Sequence, residues 1–142
     1  MAQGQAGAEG DAMSGREVFE YALLRVVPRI ERGEQINAGV LVYCRAHSYL
    51  CARIYLDERR LLALDPEADV VGVRAALGAV EELGCGGTRA GQAAGDDAGR
   101  RFRWLVAPRS TVVQPGPVHS GLTEDPEAEA ERLLGLLVRE LV

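Results

Sequence analysis

The sequence predicts an α+β fold: a single domain in which an antiparallel sheet of three to five strands packs against two main helices. Three runs rich in β-branched and aromatic residues, 18–27, 36–45 and 49–56, follow one another with short breaks, as antiparallel neighbours do. Two later segments, 66–83 and 126–141, carry apolar residues at helical spacing, and each begins at an Asp-Pro pair. A β-meander that leads into helices is typical of the α+β class.

Length and composition indicate one globular domain. The chain has 142 residues, of which 47% are hydrophobic and 26% are charged, and both values are ordinary for such a domain. No apolar run approaches the roughly 20 residues that span a bilayer, and the N-terminus lacks the basic flank and apolar core of a secretion signal. We therefore expect a cytoplasmic protein. The net charge of -5 argues against bulk binding of nucleic acid.

Two stretches rich in glycine and alanine mark the predicted boundaries of the ordered parts of the chain. Residues 1–15 hold four Gly and four Ala with no aromatic or β-branched residue, so they cannot bury enough surface to offset the entropy of ordering. Residues 85–99 are again rich in glycine and predict a flexible connector. The expected organisation is a disordered tail at 1–15 and one domain at 16–142 that contains the connector.

The first half continues from the sheet into helices. Residues 57–64 predict a helical turn or two. In the next segment Asp65 is the predicted N-cap, Pro66 the first helical residue and Gly84 the stop. The apolar positions of helix 66–83 recur at helical spacing: Val70, Val73, Leu77 and Val80.

The second half predicts a short element, an edge hairpin and a closing helix. Residues 100–108 fit either a helix or a strand. Residues 110–121 contain two short β-like runs around Pro115-Gly116-Pro117, and proline confines such a hairpin to a sheet edge because it cannot donate a hydrogen bond. Helix 126–141 has an apolar stripe that we assign to the core: Ala130, Leu133, Leu134, Leu137, Val138 and Leu141.

Whether Cys44 and Cys51 can form a disulfide depends on how the second and third strands pair. Both strands have apolar residues at even positions, from Ile36 to Cys44 and from Leu50 to Leu56, so we expect even positions to pair with even ones. Cys44 then faces Leu50, and Cys51 lies on the other side of the sheet, which disfavours a disulfide between them. Three thiols, two separated histidines and no C-x-x-C make a zinc site improbable. We expect no cofactor.

Glu34 and Asn37 stand where a polar loop becomes a buried strand. The expected register places Gly39 opposite Tyr55, whose ring covers the glycine, and Leu41 opposite Arg53. Asn37 shares that face. Its amide and the carboxylate of Glu34 either fasten the 28–35 loop to the strand, the simpler interpretation, or hold a ligand.

The order of several short motifs resembles a bacterial family. The motifs are Tyr21-x-x-Leu24-Arg25, Pro28, Gly33-Glu34, Asn37-x-Gly39-Val40, Phe102-x-x-Leu105, Arg109-Ser110 and His119-x-Gly121. The stretches GEQINAGV (33–40) and RSTVVQ (109–114) are the specific ones. The chain is similar to the family catalogued as domain of unknown function 3037 (DUF3037). The resemblance implies no reaction, and because some members are encoded beside HipA-like kinases it implies an accessory role with such a kinase.

The second half also suggests where a ligand binds. Four arginines and no acids lie between residues 98 and 123, namely Arg100, Arg101, Arg103 and Arg109, whereas five acids lie between 124 and 131. The acids stabilise the N-terminus of the predicted helix 126–141 through the helix dipole. The arginines form either a solvated surface or an anion site. We expect Arg109 and Ser110 to bind an anion together with His119 on the returning strand. Gln114 lies beside them, and Glu34 and Asn37 border the site if the second strand is adjacent.

Two functional hypotheses remain. The favoured one is a non-catalytic binding or accessory module, and the alternative is a small hydrolase or nuclease that uses Glu34, Arg109 and His119. A serine triad is disfavoured because Ser110 has no glycine beside it, and a nuclease normally needs clustered carboxylates, which are scattered here. We assign no catalytic residue. Both faces of the predicted sheet are apolar, so we also expect self-association or a protein partner on an uncovered face.

Overall fold

The computed structural model describes residues 15–85 and 98–139, and it confirms an α+β fold on one antiparallel sheet. The strands are β1 (Glu17–Val26), β2 (Ile36–Cys44), β3 (Tyr49–Ile54), β4 (Val113–Pro115) and β5 (His119–Thr123). The helices are α1 (Glu58–Leu64), α2 (Val70–Cys85), α3 (Ala98–Leu105) and α4 (Pro126–Leu137). The predicted tail lies outside the described residues except for its last residue. The predicted connector lies outside them except at its ends, which belong to α2 and α3.

Aspartate caps explain where the helices begin. The carboxylates of Asp57 and Asp125 each accept two backbone N–H groups of the first turn, at the start of α1 and α4. The predicted start of the longer helix at Pro66 is wrong, because α2 begins only at residue 70. Asp65 instead closes a separate turn, where its carboxylate accepts a backbone N–H at 3.0 Å and pairs with Arg29 at 3.3 Å.

The strand order is β3-β2-β1, and both β4 and β5 pair with the free edge of β1. β4 pairs with Leu24–Val26 and β5 with Glu17–Tyr21, and the N–H of Gly116 donates to the carbonyl of Leu23 between them. The predicted hairpin around Gly116 is therefore wrong. β1 has ten residues, so two short strands can pair with it one after the other. Together they satisfy the backbone hydrogen-bonding groups along most of this edge of β1.

A bulge interrupts the pairing of β1 with β2. Leu24 pairs with Gly39 and Arg25 with Asn37, so Ala38 is an extra residue in β2. The strand changes its facing there, and the prediction of one unbroken apolar face on β2 is wrong. Ile36 and Ala38 pack in the cluster that contains α1 and α2, whereas Val40, Val42 and Cys44 pack against α4.

The turn between β2 and β3 sets a register that differs from the predicted one. Residues 45–48 connect the strands through a short 3-10 turn, and Ser48 adopts a left-handed conformation with φ of 50°. Cys44 consequently pairs with Tyr49, not with Leu50, and even positions pair with odd ones along the strands. The predicted pairing of Cys44 with Leu50 implies a three-residue loop at 46–48, whereas four residues, 45–48, connect the strands, and this difference accounts for the shift of one residue.

Gly39 is needed because two strands approach closely at the bulge. A Cβ atom there would stand 2.7 Å from the backbone oxygen of Arg53 and 2.9 Å from Cδ1 of Ile54. Gly39 pairs with Ile54, so the predicted cover by Tyr55 is wrong, and Leu41 likewise does not face Arg53. The glycine makes room for backbone rather than for a ring.

Helices cover both faces of the sheet. α4 packs on one face with Phe19 of β1 and the second half of β2. α1, α2 and α3 pack on the other face, where Phe102 and Leu77 are almost fully buried. The expected uncovered face, which was the reason to predict self-association, is absent from the part of the chain that the structure describes. Within that part no helix is long and apolar enough to cross a membrane.

Candidate functional site

Three polar residues lie side by side across the sheet on the face that α4 covers. Arg25 of β1 pairs with Asn37 of β2 on one side and with Gln114 of β4 on the other. We call these three residues the polar row. The bulge places Asn37 in it, and the break between β4 and β5 leaves its outer end partly open. All three side chains are half-buried.

Arg25 is the unusual member of the row. Its Nε is buried without a hydrogen-bond partner, and its guanidinium forms no ion pair within residues 15–85 and 98–139. Arg53 is also half-buried and its Nε likewise lacks a hydrogen-bond partner, but its guanidinium pairs with Glu131 at 3.2 Å and with Glu127 at 3.7 Å. A half-buried cation without a charged partner is costly, which makes Arg25 a candidate for contact with a ligand.

Gly116 provides the space for this cation. A Cβ atom at Gly116 would lie 3.0 Å from Cζ of Arg25 and 3.2 Å from its Nη1, so the guanidinium rests against the backbone of the β4–β5 connection. A side chain at Gly116 would require the charged head to move by at least a few tenths of an ångström. The guanidinium therefore lies close against the connection between β4 and β5.

The two amides of the polar row are anchored by the chain itself. Nδ2 of Asn37 donates to the carbonyl of Leu137 at 3.0 Å, which joins β2 to the last turn of α4. Nε2 of Gln114 donates to the carbonyl of Thr111 at 2.8 Å. Each amide has two N–H groups and one carbonyl, so each has one further N–H and an oxygen that have no partner among the described residues. Asn37 thus fastens a helix to the sheet rather than the 28–35 loop.

His119 of β5 lies on the same face, opposite a residue nearer the start of β1. It pairs with Tyr21 across β1 and β5, and the two ring centroids are 5.2 Å apart. Tyr21 and Arg25 are four residues apart on one strand, so both point to the α4 face at a distance of about 13 Å. His119 is exposed. Together with the polar row it forms a strip of polar groups along one edge of the sheet.

The other residues of the predicted site lie elsewhere. Glu34 pairs with Arg32 inside the β1–β2 loop at 2.8 Å, and the hydrogen bond and charge of Arg32 lower the pKa of Glu34. Arg109 donates to the carbonyls of Trp104 at 2.6 Å and Ala107 at 3.3 Å, and its guanidinium lies 4.8 Å from the Trp104 ring centroid.

Arg109 thus caps the C-terminal end of α3. Ser110 is exposed in the segment that precedes β4. Since β4 and β5 do not pair with each other, the register that was expected to bring these two residues alongside His119 is absent.

A polar cleft lies on the opposite face of the sheet, beside α3. Its volume is about 560 Å³, and it is lined by Val18, Glu20, Tyr43, Arg45, Arg100 and Arg103, together with the backbone of Gly99. Arg103 pairs with Glu20 at 2.6 Å, while Arg101 donates to the carbonyl of Leu83 at 3.1 Å. The arginines of α3 therefore serve the cleft and the packing of helices, and they do not join the polar row.

Sequence reasoning missed Arg25 as a site residue, although it belongs to a motif that carried the family resemblance. The available signal was a charge within an apolar strand, between Leu24 and Val26. Within the described ranges no group of three or more His, Cys, Asp and Glu side chains is arranged to hold a metal ion.

Comparison with known proteins gives one result. The chain matches the family described as protein of unknown function (DUF3037) over residues 21–138, a range that contains the polar row and His119. No curated protein and no solved structure matches the chain. The family match covers most of the sequence, and the chain therefore belongs to the DUF3037 family.

Proposed function

We propose that this protein is a non-catalytic binding module that holds an oxyanionic group, a carboxylate or a phosphate, at Arg25. The observation that carries the proposal is the half-buried guanidinium of Arg25, which has no anionic partner among the described residues. A guanidinium presents a planar fork of donors that suits both groups.

The energetics favour a ligand at this position. An unsatisfied buried donor costs about 1–3 kcal/mol, and partial exposure puts Arg25 near the lower end of that range. The last carbonyls of α4 lie at the same row, since that of Leu137 accepts from Asn37. Their partial negative charge offsets some of the cost and also repels an anion, so a bound oxyanion has to gain more from the Arg25 guanidinium than it loses to these carbonyls.

The shape of the strip favours a protein partner over a small molecule. About 13 Å separate Arg25 from the level of His119 along β1, and Tyr21 and Leu23 of β1 pack against α4 on that face. A partner that contacts both Arg25 and His119 therefore has to run along the outer side of β4 and β5, with an acidic group at Arg25 and a second polar group at His119. Asn37 and Gln114 would orient the first group with their free N–H groups. A HipA-like kinase, the partner class that the family resemblance implies, is the first candidate.

The alternative, a small hydrolase or nuclease that uses Glu34, Arg109 and His119, has less support. Glu34 lies two residues before Ile36, which pairs with Val26 of β1. His119 pairs with Tyr21, nearer the other end of the same strand. Five residues of β1 separate those levels, or about 17 Å. A carboxylate with a lowered pKa is also a weak general base.

The test is calorimetric titration of the full chain with inorganic phosphate, which reports the isolated oxyanion. A charge-assisted hydrogen bond contributes about 1.5–3 kcal/mol, so Arg25→Met should weaken phosphate binding roughly 10- to 150-fold. Arg60→Met is the matched control, because Arg60 is exposed on α1 and its replacement removes the same charge.

If the two variants and the wild type bind phosphate alike, Arg25 is not the site. Should Arg25→Met fail to fold, Gly116→Val is the second variant. Its Cβ atom alone would lie 3.0 Å from Cζ of Arg25, so the branched side chain has to move the guanidinium while the charge stays, and unchanged phosphate affinity in Gly116→Val would also contradict the proposal.

A further inference from the structure

Two cysteine thiols from different elements are in contact at the edge of the sheet. Sγ of Cys51, in the edge strand β3, lies 3.2 Å from Sγ of Cys85, the last residue of α2. The Cys85 sulfur also lies 3.3 Å from both the backbone nitrogen and the carbonyl oxygen of Ala52. Cys51 is half-buried and Cys85 is exposed. The contact is therefore held by the backbone of β3 and is open to solvent on one side.

Close packing of α2 on β3 creates this contact. Gly84, the residue before Cys85, is buried against Ala52, and a Cβ atom on Gly84 would stand only 2.7 Å from that of Ala52. The sequence predicts Cys85 in the connector, so it does not predict this contact. The predicted placement of Cys51 on the side of the sheet opposite Cys44 is also wrong, because Cys51 pairs with Val42, which shares the face of Cys44. Cys44 is fully buried, and its sulfur lies 3.5 Å from the carbonyl of Val18.

The two thiols differ in acidity in a way that suits reaction between them. The hydrogen bond from Cys85 is the main cause that lowers the pKa of Cys51 to about 6; burial and Glu81 oppose it, while Tyr49 and Arg53 add to it. The same hydrogen bond raises the pKa of Cys85. At neutral pH Cys51 is then a thiolate, the nucleophilic form of cysteine, beside a protonated thiol.

We propose that Cys51 and Cys85 form a redox-active dithiol that low-molecular-weight disulfides oxidise to an intramolecular disulfide. The Cys51 thiolate attacks one sulfur of the reagent, a mixed disulfide forms, and one thiolate leaves. Cys85 loses its proton and attacks the Cys51 sulfur, which releases the second thiolate. Two protein thiols lose two electrons and two protons, and one reagent disulfide becomes two thiols.

The product would bind the C-terminal end of α2 covalently to the edge strand. The two cysteines are 34 residues apart in sequence, and closing a loop of that size stabilises a folded chain mainly by restricting the unfolded one. A rise in the melting temperature on the order of 10 °C is expected on oxidation. The sulfurs need to approach by about 1 Å to reach bonding distance.

The experiment exposes the reduced full chain to mixtures of reduced and oxidised glutathione, then blocks free thiols and maps peptides without reduction. The expected result is a Cys51–Cys85 disulfide with Cys44 still a thiol. Cys44→Ala should form the same disulfide, whereas Cys51→Ser and Cys85→Ser should form none. Glutathione adducts alone, a disulfide that includes Cys44, or three thiols that persist in oxidised glutathione would each overturn the proposal.

A second measurement separates a reactive pair from cysteines that are merely close. The rate of Cys51 alkylation by iodoacetamide should have its midpoint near pH 6 in the wild type, as the lowered pKa requires. In Cys85→Ala the hydrogen bond is lost, and the midpoint should move towards about 8.5, the ordinary value for cysteine. Equal midpoints in the two proteins would contradict the proposed activation of Cys51 by Cys85.

Discussion

Gly84 offers a sharp test of how closely α2 packs on β3. In a helix, alanine is more favourable than glycine by about 0.8–1.0 kcal/mol, so a glycine with free space around it should stabilise the protein when it becomes alanine. Gly84 has no such space, because the new Cβ atom would lie 2.7 Å from that of Ala52 and 3.2 Å from the Ala52 backbone nitrogen. Overpacking of this kind costs about 1–3 kcal/mol.

The matched control is Gly78→Ala in the same helix. Gly78 is exposed, and nothing lies within 4 Å of the position of its Cβ atom. Gly78→Ala should therefore raise the free energy of unfolding by about 1 kcal/mol, whereas Gly84→Ala should leave it unchanged or lower it by up to about 2 kcal/mol.

Urea denaturation of the reduced proteins measures both changes, and the two variants should differ by about 1–3 kcal/mol. The Cys51 alkylation midpoint adds an independent readout, since displacement of α2 separates Cys85 from Cys51 and should raise the midpoint in Gly84→Ala only. If Gly84→Ala stabilises the protein as much as Gly78→Ala, the helix is not in close contact with β3, and the geometry of the thiol pair is wrong with it.

Three further predictions concern single groups. Asn37→Ala removes the hydrogen bond to the last turn of α4 and should lower the free energy of unfolding by about 1–2 kcal/mol in urea denaturation; Asn37→Asp, which keeps the shape but not the donor, should not restore it. Because the pKa of Cys51 is lowered to about 6 from about 8.5 when unfolded, the unfolded chain binds more protons between these values. The stability of the reduced protein, measured against Cys51→Ser, should rise with pH across that window and be lost as pH falls through 6. Arg109→Ala should lower the free energy of unfolding by about 1 kcal/mol through loss of the α3 cap, with no change in phosphate affinity; weakened phosphate binding there would return Arg109 to the site.

Helix caps and apolar stripes were predicted correctly where they depend only on residues of the same helix. Asp125-Pro126 begins α4 because a side-chain cap and a fixed proline φ depend on neighbours in sequence. The apolar stripe of α4 is in the core for the same reason, with Ala130 and Leu133 buried. The start of α2 was missed because Asp65 caps only a short turn, whereas Asp69 caps the helix: its carboxylate accepts the N–H of Gly72 at 3.0 Å.

The site was harder to predict because it depends on register. A single extra residue, Ala38, and a four-residue turn decide which side chains share a face, and alternation alone does not reveal either. Arg25 enters the site because β1 has partners on both edges, and Gln114 joins it because β4 pairs with β1 instead of with β5. The contact of Cys85 with Cys51 likewise requires the packing of a helix on a strand, which sequence spacing does not encode.

The most direct test of the central claim observes the Arg25 guanidinium itself. In ¹⁵N–¹H spectra of the arginine side chains of the full chain, the Nε–Hε resonance of Arg25 is assigned from its absence in Arg25→Met and is followed as inorganic phosphate is added. If Arg25 holds an oxyanion, its resonance shifts saturably while that of Arg109, whose guanidinium is already bound to backbone carbonyls, stays in place. A saturable shift at Arg109 with none at Arg25 would contradict the account.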